Sequence, residues 1–237
     1  MSAERVALVT GAAGGIGAPL CAALAAAGYA VAAVDRVAPT TPTHFIAADL
    51  ASAYGPGDCV RAAIARFGRL DLVVHAAGVF DSTPTAAVTV ERWDLTMGVN
   101  LRAAFFLAQA AIETLGATKG SIVNLSSVAG FYPRADQAAY CTSKAALEHL
   151  TRVLALDFAP RGVRVNAVRP GVVETGMAAE SYGAAGLARW TAAVPLGQLA
   201  LPGDIAEAVL FLAKSRHITG QIMTIDGGQT INFVKAV

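Results

Sequence analysis

Hydrophobic positions along the chain fall into seven short runs that are rich in Val, Ile, Leu and Ala. The runs lie at 5–9, 30–34, 44–47, 71–76, 120–125, 163–168 and 221–225. Near-continuous apolar runs of this length are typical of strands that are buried on both faces of a parallel sheet. The pattern therefore predicts a sheet of about seven parallel strands.

Longer stretches rich in Ala and Leu separate these runs and predict helices at 16–27, 53–67, 88–115, 138–159 and 203–213. Strands alternating with crossover helices predict an α/β protein, a Rossmann-like doubly wound sheet with helices on both faces. No repeat or Pro/Ser-rich linker divides the chain, so residues 1–237 are predicted to form a single domain. Residues 174–200 combine small side chains with weak periodicity, which favours a mobile segment beside the substrate.

Composition and charge argue against several classes of protein. The formal net charge of +1 creates no field that would attract nucleic acid. Mean hydropathy is +0.53, but this comes largely from Ala and Val. No uncharged apolar run approaches the roughly 20 residues that a membrane span requires. The N-terminal residues lack the pattern of a signal peptide, so we expect a cytoplasmic protein.

The cysteines and histidines do not have the spacing of a metal site. They are Cys21, Cys59, Cys141, His44, His75, His149 and His217. Three scattered cysteines in a cytosolic protein are expected to be reduced and partly buried thiols. We therefore expect no metal ion.

A glycine cluster, TGAAGGIG, follows the first predicted strand directly and leads into the first predicted helix. Gly11, Gly15 and Gly17 suit a tight turn, close approach of the backbone to a pyrophosphate, and close packing of helix on strand. The helix N-terminus offers free N–H groups and partial positive charge to phosphate. Glycine-rich turns are common, but this position between strand and helix favours a dinucleotide site.

Acidic residues end the second and third predicted strands. Asp35 can accept hydrogen bonds from the ribose hydroxyls of the cofactor and repel a 2′-phosphate, which favours NAD over NADP. Arg36 instead favours NADP, because its guanidinium could bind that 2′-phosphate. Asp49 could meet the adenine amino group or cap the next helix, and one side chain can do both.

Tyr140 and Lys144 lie four residues apart on the predicted helix 138–159 and therefore share one face. A free tyrosine has a pKa near about 10, and a nearby ammonium favours the phenolate. We therefore expect Lys144 to lower the pKa of Tyr140, so that Tyr140 can take a proton from an alcohol as hydride leaves. Lys144 could also hold the nicotinamide ribose. This spacing is common by chance and carries little weight alone.

The strand before this helix ends with two serines. Ser127 is placed at the carboxyl end of that strand, where ligands bind in open α/β sheets, and its hydroxyl can contact the substrate oxygen. Ser126 is better suited to stabilising the loop. Asn100 falls inside the predicted helix 88–115. It could bend that helix, or relay protons through a water molecule to Lys144.

These motifs together resemble the classical short-chain dehydrogenase/reductase family over nearly the whole chain. TGAAGGIG, Asp35, HAAG at 75–78, Asn100, Ser127, YCTSK and RPG at 169–171 occur in that family's order and spacing. The resemblance implies a nicotinamide cofactor and a Ser-Tyr-Lys mechanism supported by Asn. The implied catalytic residues are Asn100, Ser127, Tyr140 and Lys144. The implied cofactor residues are Gly11, Gly15, Ile16, Gly17, Asp35, Asp49, Leu50, Ala76, Ala77, Gly78, Tyr140, Lys144, Pro170, Gly171, Val173 and Thr175.

The resemblance has one departure and one further implication. His75 stands where the family usually has Asn, at a position that mainly stabilises the central strand. The family also implies a homotetramer, in which the helices at 88–115 and 138–159 would pair across a dimer interface.

Three features are most similar to one group in the family, the 2,3-dihydro-2,3-dihydroxybenzoate dehydrogenases of siderophore synthesis. They are the short link from Asp35 to Asp49, the Pro-Arg pair at 133–134, and the C-terminal segment from Pro195. These enzymes oxidise a cyclic diol carboxylate with NAD, and relatives act on 2,3-dihydro-3-hydroxyanthranilate. Such substrates carry a carboxylate that Arg134 could bind bidentately.

The expected substrate contacts are therefore Ser127, Arg134 and Tyr140, although Arg134 could equally be a solvated loop residue or join an oligomer salt bridge. Two alternatives remain for function. A 3-oxoacyl-carrier-protein reductase or general ketone reductase would share most of these motifs. A dinucleotide-sensing regulator on the same fold would do no chemistry.

Overall fold

The computed structural model describes residues 4–40 and 44–232, and every strand predicted from the hydrophobic pattern is present within them. The strands are β1 (Arg5–Thr10), β2 (Tyr29–Asp35), β3 (His44–Ala47), β4 (Leu72–His75), β5 (Ser121–Leu125), β6 (Arg164–Pro170) and β7 (Ile222–Ile225). The α-helices are α1 (Gly17–Ala26), α2 (Gly55–Phe67), α3 (Val90–Met97), α4 (Ala103–Thr118), α5 (Ala138–Phe158), α6 (Gly176–Ala193) and α7 (Pro202–Lys214).

The seven strands form one parallel sheet in the order β3-β2-β1-β4-β5-β6-β7. The register places Val9 of β1 between Ala33 of β2 and Val74 of β4. The chain order reverses between β1 and β4, and the crevice at the carboxyl ends of the strands there is the usual ligand site of such sheets. The predicted Rossmann-like doubly wound α/β fold is confirmed.

Alternate residues of each strand enter two different cores, because successive side chains of a strand point to opposite faces. Leu8 of β1 packs in a core that contains residues of α2, α4 and α5. Its neighbour Val9 packs in a core that contains residues of α1 and α7. Each fully buried Leu or Val contributes roughly 1.5–3 kcal/mol. The two apolar cores thus fix the position of the sheet, whose strands carry the functional side chains at their carboxyl ends.

The segment interpreted as a mobile excursion contains a helix, α6. Thr175 caps it, since the Thr175 side chain accepts a hydrogen bond from the Ala178 backbone N–H. Gly183 interrupts it with φ 60°, ψ 175°, a conformation that glycine adopts easily. Small residues hide the helical period here, which is why the pattern did not predict a helix. The mobility of residues 174–200 stays a prediction.

The helix predicted at 88–115 is divided into three parts. α3 and α4 are joined by a π-helical turn at Gly98–Arg102. By length and composition alone, the continuous stretch Val90–Thr118 could cross a membrane, with a mean hydropathy of 1.3 in its most apolar window. Half of that window is buried inside the protein, and Leu107 and Leu115 of α4 lie in the core. The apolar character of this stretch therefore fits a core helix.

Candidate active site

Two adjoining clefts open at the carboxyl ends of the strands. The glycine cleft is defined by the turn between β1 and α1, and the tyrosine cleft by the start of α5. Ile16, Thr175 and Met177 line both clefts, so a ligand in one can reach the other. Most residues predicted for the cofactor line the glycine cleft: Gly11, Gly15, Ile16, Gly17, Asp35, Asp49, Leu50, Ala76, Ala77, Gly78 and Thr175.

The glycine turn fits a pyrophosphate. Gly11 has φ +68°, and a Cβ there would lie 2.7 Å from the Cα of Ala77. A Cβ on Gly17 would overlap the Gly11 carbonyl, and one on Gly15 would lie 2.8 Å from the Cβ of Thr175. α1 begins with neither a side-chain cap nor an acidic residue in its first turn. Ala18 and Leu20 donate to carbonyls of the turn, and Pro19 has no N–H. The groups that can bind an anion are therefore the N–H groups of Gly15, Ile16 and Gly17.

Asp35, at the end of β2, lies in the glycine cleft with its carboxylate held by the backbone. Its Oδ2 accepts a hydrogen bond from the Ala13 N–H at 2.9 Å, and its Oδ1 accepts one from the Arg36 N–H at 2.7 Å. A carboxylate in this place can accept hydrogen bonds from a ribose diol. Asp49 accepts a hydrogen bond from the Ala51 N–H at 2.9 Å, so it makes a turn contact and also lines the cleft.

We predict that the wild type prefers NAD over NADP and that Asp35→Ala weakens this preference, because the repulsion of a 2′-phosphate disappears while Arg36 remains. We expect the ratio of kcat/KM with NAD to kcat/KM with NADP to fall by at least about tenfold. A change of this size corresponds to the loss of one charge-assisted hydrogen bond. Steady-state kinetics with both cofactors measure this ratio. An unchanged ratio would place the discrimination outside Asp35.

The tyrosine cleft encloses about 630 Å³, including space open to solvent. It contains all three predicted substrate residues, Ser127, Arg134 and Tyr140. Six predicted cofactor residues line it: Ile16, Tyr140, Pro170, Gly171, Val173 and Thr175. Sequence reasoning missed Phe80, Gln137, Met177 and Tyr182. Phe80 follows β4 by five residues, whereas Met177 and Tyr182 lie in the segment whose period was weak.

Tyr140 is in the first turn of α5 and hydrogen-bonds to the Ser127 side chain. Ser127 follows β5 and also accepts a hydrogen bond from the Ala129 N–H at 3.2 Å. Lys144, one turn after Tyr140, is buried, and its Nζ donates to the Leu125 carbonyl at 2.8 Å. The hydroxyls of Ser127 and Tyr140 thus meet at one point, where they could bind the same substrate oxygen.

The prediction that the pKa of Tyr140 is lowered is wrong for the protein without its cofactor. Burial raises the pKa of Tyr140 to about 12, and this outweighs the lowering by the Ser127 hydrogen bond and by Arg134. Lys144 Nζ lies 5.8 Å from the centre of the Tyr140 ring, and burial lowers the pKa of Lys144 to about 8. The groups that lower the pKa of Tyr140 are Ser127 and Arg134, whereas the charge of Lys144 lowers the pKa of His75.

Asn100 lies in the π-helical turn, a feature frequently found at functional sites. Its Oδ1 accepts from the Val79 N–H at 2.8 Å, and its Nδ2 donates to the Val79 carbonyl and the Ser143 hydroxyl, each at 3.0 Å. Asn100 thus lies where the helix is interrupted, but its side chain bonds to Val79 and Ser143, whereas a bend residue would bond to its own backbone. Gly78 brings the cleft near Lys144, since a Cβ there would lie 3.4 Å from Nζ. The water link to Lys144 stays a prediction.

His75 connects β4 to β1 and to the π-helical turn. Burial lowers its pKa to about 3, so the ring is neutral. Its Nε2 lies 3.1 Å from the Val99 carbonyl, which can only accept, and its Nδ1 lies 3.0 Å from the Thr10 hydroxyl. Nε2 therefore carries the proton and Thr10 donates to Nδ1. The histidine at this position stabilises the strand ends, as expected, and does not line either cleft.

A buried ion pair lies behind the serine turn. Arg169 of β6 binds Glu148 of α5 through Nε–Oε1 at 2.7 Å and Nη2–Oε2 at 2.6 Å. Ser126 donates to the same Glu148 carboxylate at 2.8 Å, which agrees with its expected role in the loop. Arg169 also stacks over the Phe131 ring at 4.8 Å. Through Ser126, the residue before Ser127, this network connects the loop after β5 to β6 and α5.

Arg134 reaches from the loop before α5 to α6. Its guanidinium carbon lies 4.2 Å from the centre of the Trp190 ring, and Nη1 is 3.4 Å from the Tyr182 hydroxyl. The ring of Phe80 packs edge-on against Tyr140 and Tyr182, at centroid distances of 5.1 and 6.2 Å. No ion pair within residues 4–40 and 44–232 involves Arg134. It therefore brings a positive charge to an aromatic wall of the tyrosine cleft.

Comparison with known proteins agrees with this geometry. A family model described as enoyl-(acyl carrier protein) reductase matches residues 11–230. The chain is 35% identical to the trans-4-hydroxycyclohexanecarboxylate dehydrogenase of Sinomonas cyclohexanicum, over 96% of this chain and 93% of that protein. It is 34% identical to the 2,5-dichloro-2,5-cyclohexadiene-1,4-diol dehydrogenase of Sphingobium indicum, over 97% of each.

A solved structure has the same fold. The ligand-free aldohexose dehydrogenase of Thermoplasma acidophilum superposes with a TM-score of 0.92 and 27% identity, covering 96% of this chain and 94% of that one. The matches extend over the glycine turn, the serine turn and the tyrosine helix together. The chain is therefore an oxidoreductase of the classical short-chain dehydrogenase/reductase family, whose members use a nicotinamide dinucleotide cofactor.

Proposed function

We propose that this enzyme oxidises a secondary alcohol on a small cyclic hydroxy acid with NAD. The proposed substrate is 2,3-dihydro-2,3-dihydroxybenzoate, giving 2,3-dihydroxybenzoate for siderophore synthesis, or a close analogue such as 2,3-dihydro-3-hydroxyanthranilate. The observation that carries the proposal is the Arg134 guanidinium in the same cleft as Tyr140 and Ser127. A carboxylate bound there would place the ring of a small acid against the two hydroxyls.

The cleft walls suit a flat, partly apolar ring. Phe80 and Tyr182 pack against each other and line the cleft, and the Trp190 ring stacks on the Arg134 guanidinium. A guanidinium that is stacked on one face keeps its edge donors available for a planar acceptor such as a carboxylate. The names of the two relatives, a hydroxycyclohexanecarboxylate dehydrogenase and a cyclohexadienediol dehydrogenase, add support for a cyclic alcohol.

Within this proposal, each protein group has one task. Ser127 donates a hydrogen bond to the reacting oxygen, and Tyr140 as phenolate takes the alcohol proton while the C–H bond to the same carbon breaks. Bound oxidised nicotinamide would accept that hydride with its electron pair and supply positive charge beside Tyr140. Lys144 would contact the nicotinamide ribose, with Asn100 supporting the helix turn behind it. The resulting ketone tautomerises: a proton leaves a ring carbon, the ketone oxygen gains a proton to become a hydroxyl, and the product ring becomes aromatic.

The two alternatives fit the residues less well. A 3-oxoacyl-carrier-protein reductase would usually draw on NADPH, and the Asp35 carboxylate that lines the glycine cleft would repel a 2′-phosphate. A dinucleotide-sensing regulator would not need Ser127, Tyr140 and Lys144 together, and all three are present and connected through the end of β5. We propose a metal-free reaction in the cytoplasm, without a nucleic-acid or membrane partner.

Replacing Arg134 with alanine tests the substrate class. We expect KM for a cyclic hydroxy acid to rise roughly 10- to 150-fold. This corresponds to the loss of a charge-assisted hydrogen bond to the carboxylate, which contributes about 1.5–3 kcal/mol. The matching cyclic alcohol without a carboxylate should have an unchanged KM. Arg134→Lys, which keeps the charge without the planar fork, should recover part of the loss.

Initial rates of NADH formation over a range of substrate concentrations provide these constants. Equal KM values for the acid in wild type and Arg134→Ala would mean that Arg134 does not bind the substrate and is a solvated loop residue. The carboxylate proposal would then fail even if alcohol oxidation remained.

We also propose a homotetramer, because α4 and α5 carry apolar side chains on the surface. Phe105, Phe106, Val153 and Leu156 are 38%, 36%, 41% and 77% exposed in the single chain. Large exposed apolar groups on neighbouring helices are typical of surfaces that bind another protein chain. A mass of about four chains by light scattering would support the proposal, and a single-chain mass would overturn it.

A further inference from the structure

The tyrosine cleft contains a buried side-chain amide that takes no part in the proposed proton transfer or in the proposed carboxylate contact. Gln137 immediately precedes α5 and is 7% exposed. It occupies the N-cap position of this helix, yet its side chain makes no capping hydrogen bond. Its Oε1 has no hydrogen-bond donor among the described residues. A buried amide oxygen without a donor costs roughly 1–3 kcal/mol, so its retention calls for a partner.

The position of Gln137 relates this unpartnered oxygen to the reacting centre. Gln137 directly precedes α5, and Tyr140 lies in the first turn of that helix. Both line the tyrosine cleft together with Ser127 and Arg134. A ring whose alcohol is bound by Tyr140 and whose carboxylate is bound by Arg134 would therefore carry its remaining substituents past Gln137.

An amide oxygen accepts hydrogen bonds, so the partner that it lacks is a donor. On a cyclic hydroxy acid that donor would be a second hydroxyl or an amino group adjacent to the reacting carbon. The amide end of Gln turns about a broad terminal torsion, which lets it adjust to such a group at little cost.

We propose that Gln137 is a specificity-determining residue that accepts a hydrogen bond from a second hydroxyl or amino group beside the alcohol being oxidised. This rests on the proposed function and deepens it: the enzyme selects vicinal diols or amino alcohols over simple alcohols. Sites built to hydrogen-bond a substrate group reject analogues that lack it, because the protein group then stays buried and unpaired. Gln137 thus supplies discrimination, while Tyr140 supplies the chemistry.

The test uses 2,3-dihydroxycyclohexanecarboxylate and 3-hydroxycyclohexanecarboxylate of matched configuration with NAD. Wild type should prefer the diol in kcat/KM by at least about tenfold. Gln137→Met keeps the side-chain volume but removes the acceptor. It should lower kcat/KM for the diol by about 10- to 100-fold and change that for the monohydroxy acid by less than about threefold.

Asp136→Asn is the matched control. Asp136 is exposed, adjacent to Gln137 and at φ 59°, a conformation that Asn also tolerates. Both acids should react with Asp136→Asn at rates within about threefold of wild type. NADH binding and the melting temperature of each variant check that the cleft is still folded.

The outcomes separate the two proposals. Oxidation of both acids by wild type, with equal losses or no loss in Gln137→Met, would overturn the role of Gln137 and leave the proposed function standing. Oxidation of neither acid would overturn the proposed function and this inference with it. A loss confined to the diol supports both.

Discussion

Tyr140→Phe should lower kcat by about 10³-fold or more, because the alcohol then has no base for its proton. The ring remains, so its edge-on contact with Phe80 at 5.1 Å and the packing of α5 should persist. NADH binding, followed by fluorescence, should stay within a few fold of wild type. The expected result is thus a folded protein that binds cofactor but does not turn over substrate.

Tyr182→Phe is the matched control, since it removes a hydroxyl from the same cleft without removing the base. We expect it to lower kcat by less than about tenfold. Turnover by Tyr140→Phe above a tenth of the wild-type rate would mean that another group takes the proton. Because burial raises the pKa of Tyr140 to about 12 in the protein itself, the comparison is best made over pH 7–10 with cofactor saturating.

Glu148→Ala should destabilise the protein by about 2–4 kcal/mol, because it leaves the partly buried guanidinium of Arg169 without its carboxylate. That guanidinium would retain its contacts with Thr224 and the Phe131 ring. The side chains of this pair are only 6% and 13% exposed, and Glu148 also accepts the hydroxyl of Ser126. Urea unfolding followed by circular dichroism gives the free energy. Glu148→Gln, which can still accept hydrogen bonds, should lose less than Glu148→Ala.

Glu113→Ala is the comparison, because Glu113 pairs with Arg161 on the surface with side chains 77% and 49% exposed. Exposed ion pairs contribute about 0–1 kcal/mol, so this variant should stay within that range. Losses of equal size in the two variants would show that the Glu148–Arg169 pair is no more important than a surface pair. A larger loss in Glu148→Ala would support its place beneath the serine turn.

The sheet could be predicted because its strands are buried on both faces and therefore have continuous apolar runs. β1 and β4 are examples, since almost every one of their residues is buried. The glycine turn could be predicted because steric demands restrict its residues: a side chain at Gly11 or Gly15 would collide with Ala77 or Thr175. Local spacing was enough in both cases.

Features that depend on tertiary contacts could not be predicted. The helix α6 is rich in Gly and Ala and is kinked at Gly183, so it has no clear apolar period. The pairing of Glu148 with Arg169 joins residues 21 positions apart through the packing of α5 on β6. The pKa of Tyr140 depends mainly on the burial of its side chain. The sequence spacing between Tyr140 and Lys144 does not reveal that burial.

One assay tests the proposed function most directly: NADH formation from a panel of hydroxylated cyclohexadiene and cyclohexane carboxylates, with a 3-oxoacyl thioester and NADPH run in the reductive direction. We predict NAD-dependent oxidation of the cyclic hydroxy acids, fastest for 2,3-dihydro-2,3-dihydroxybenzoate or its amino analogue, and little reduction of the thioester. Efficient NADPH-dependent reduction of the thioester, with no oxidation of any cyclic acid, would contradict the proposal.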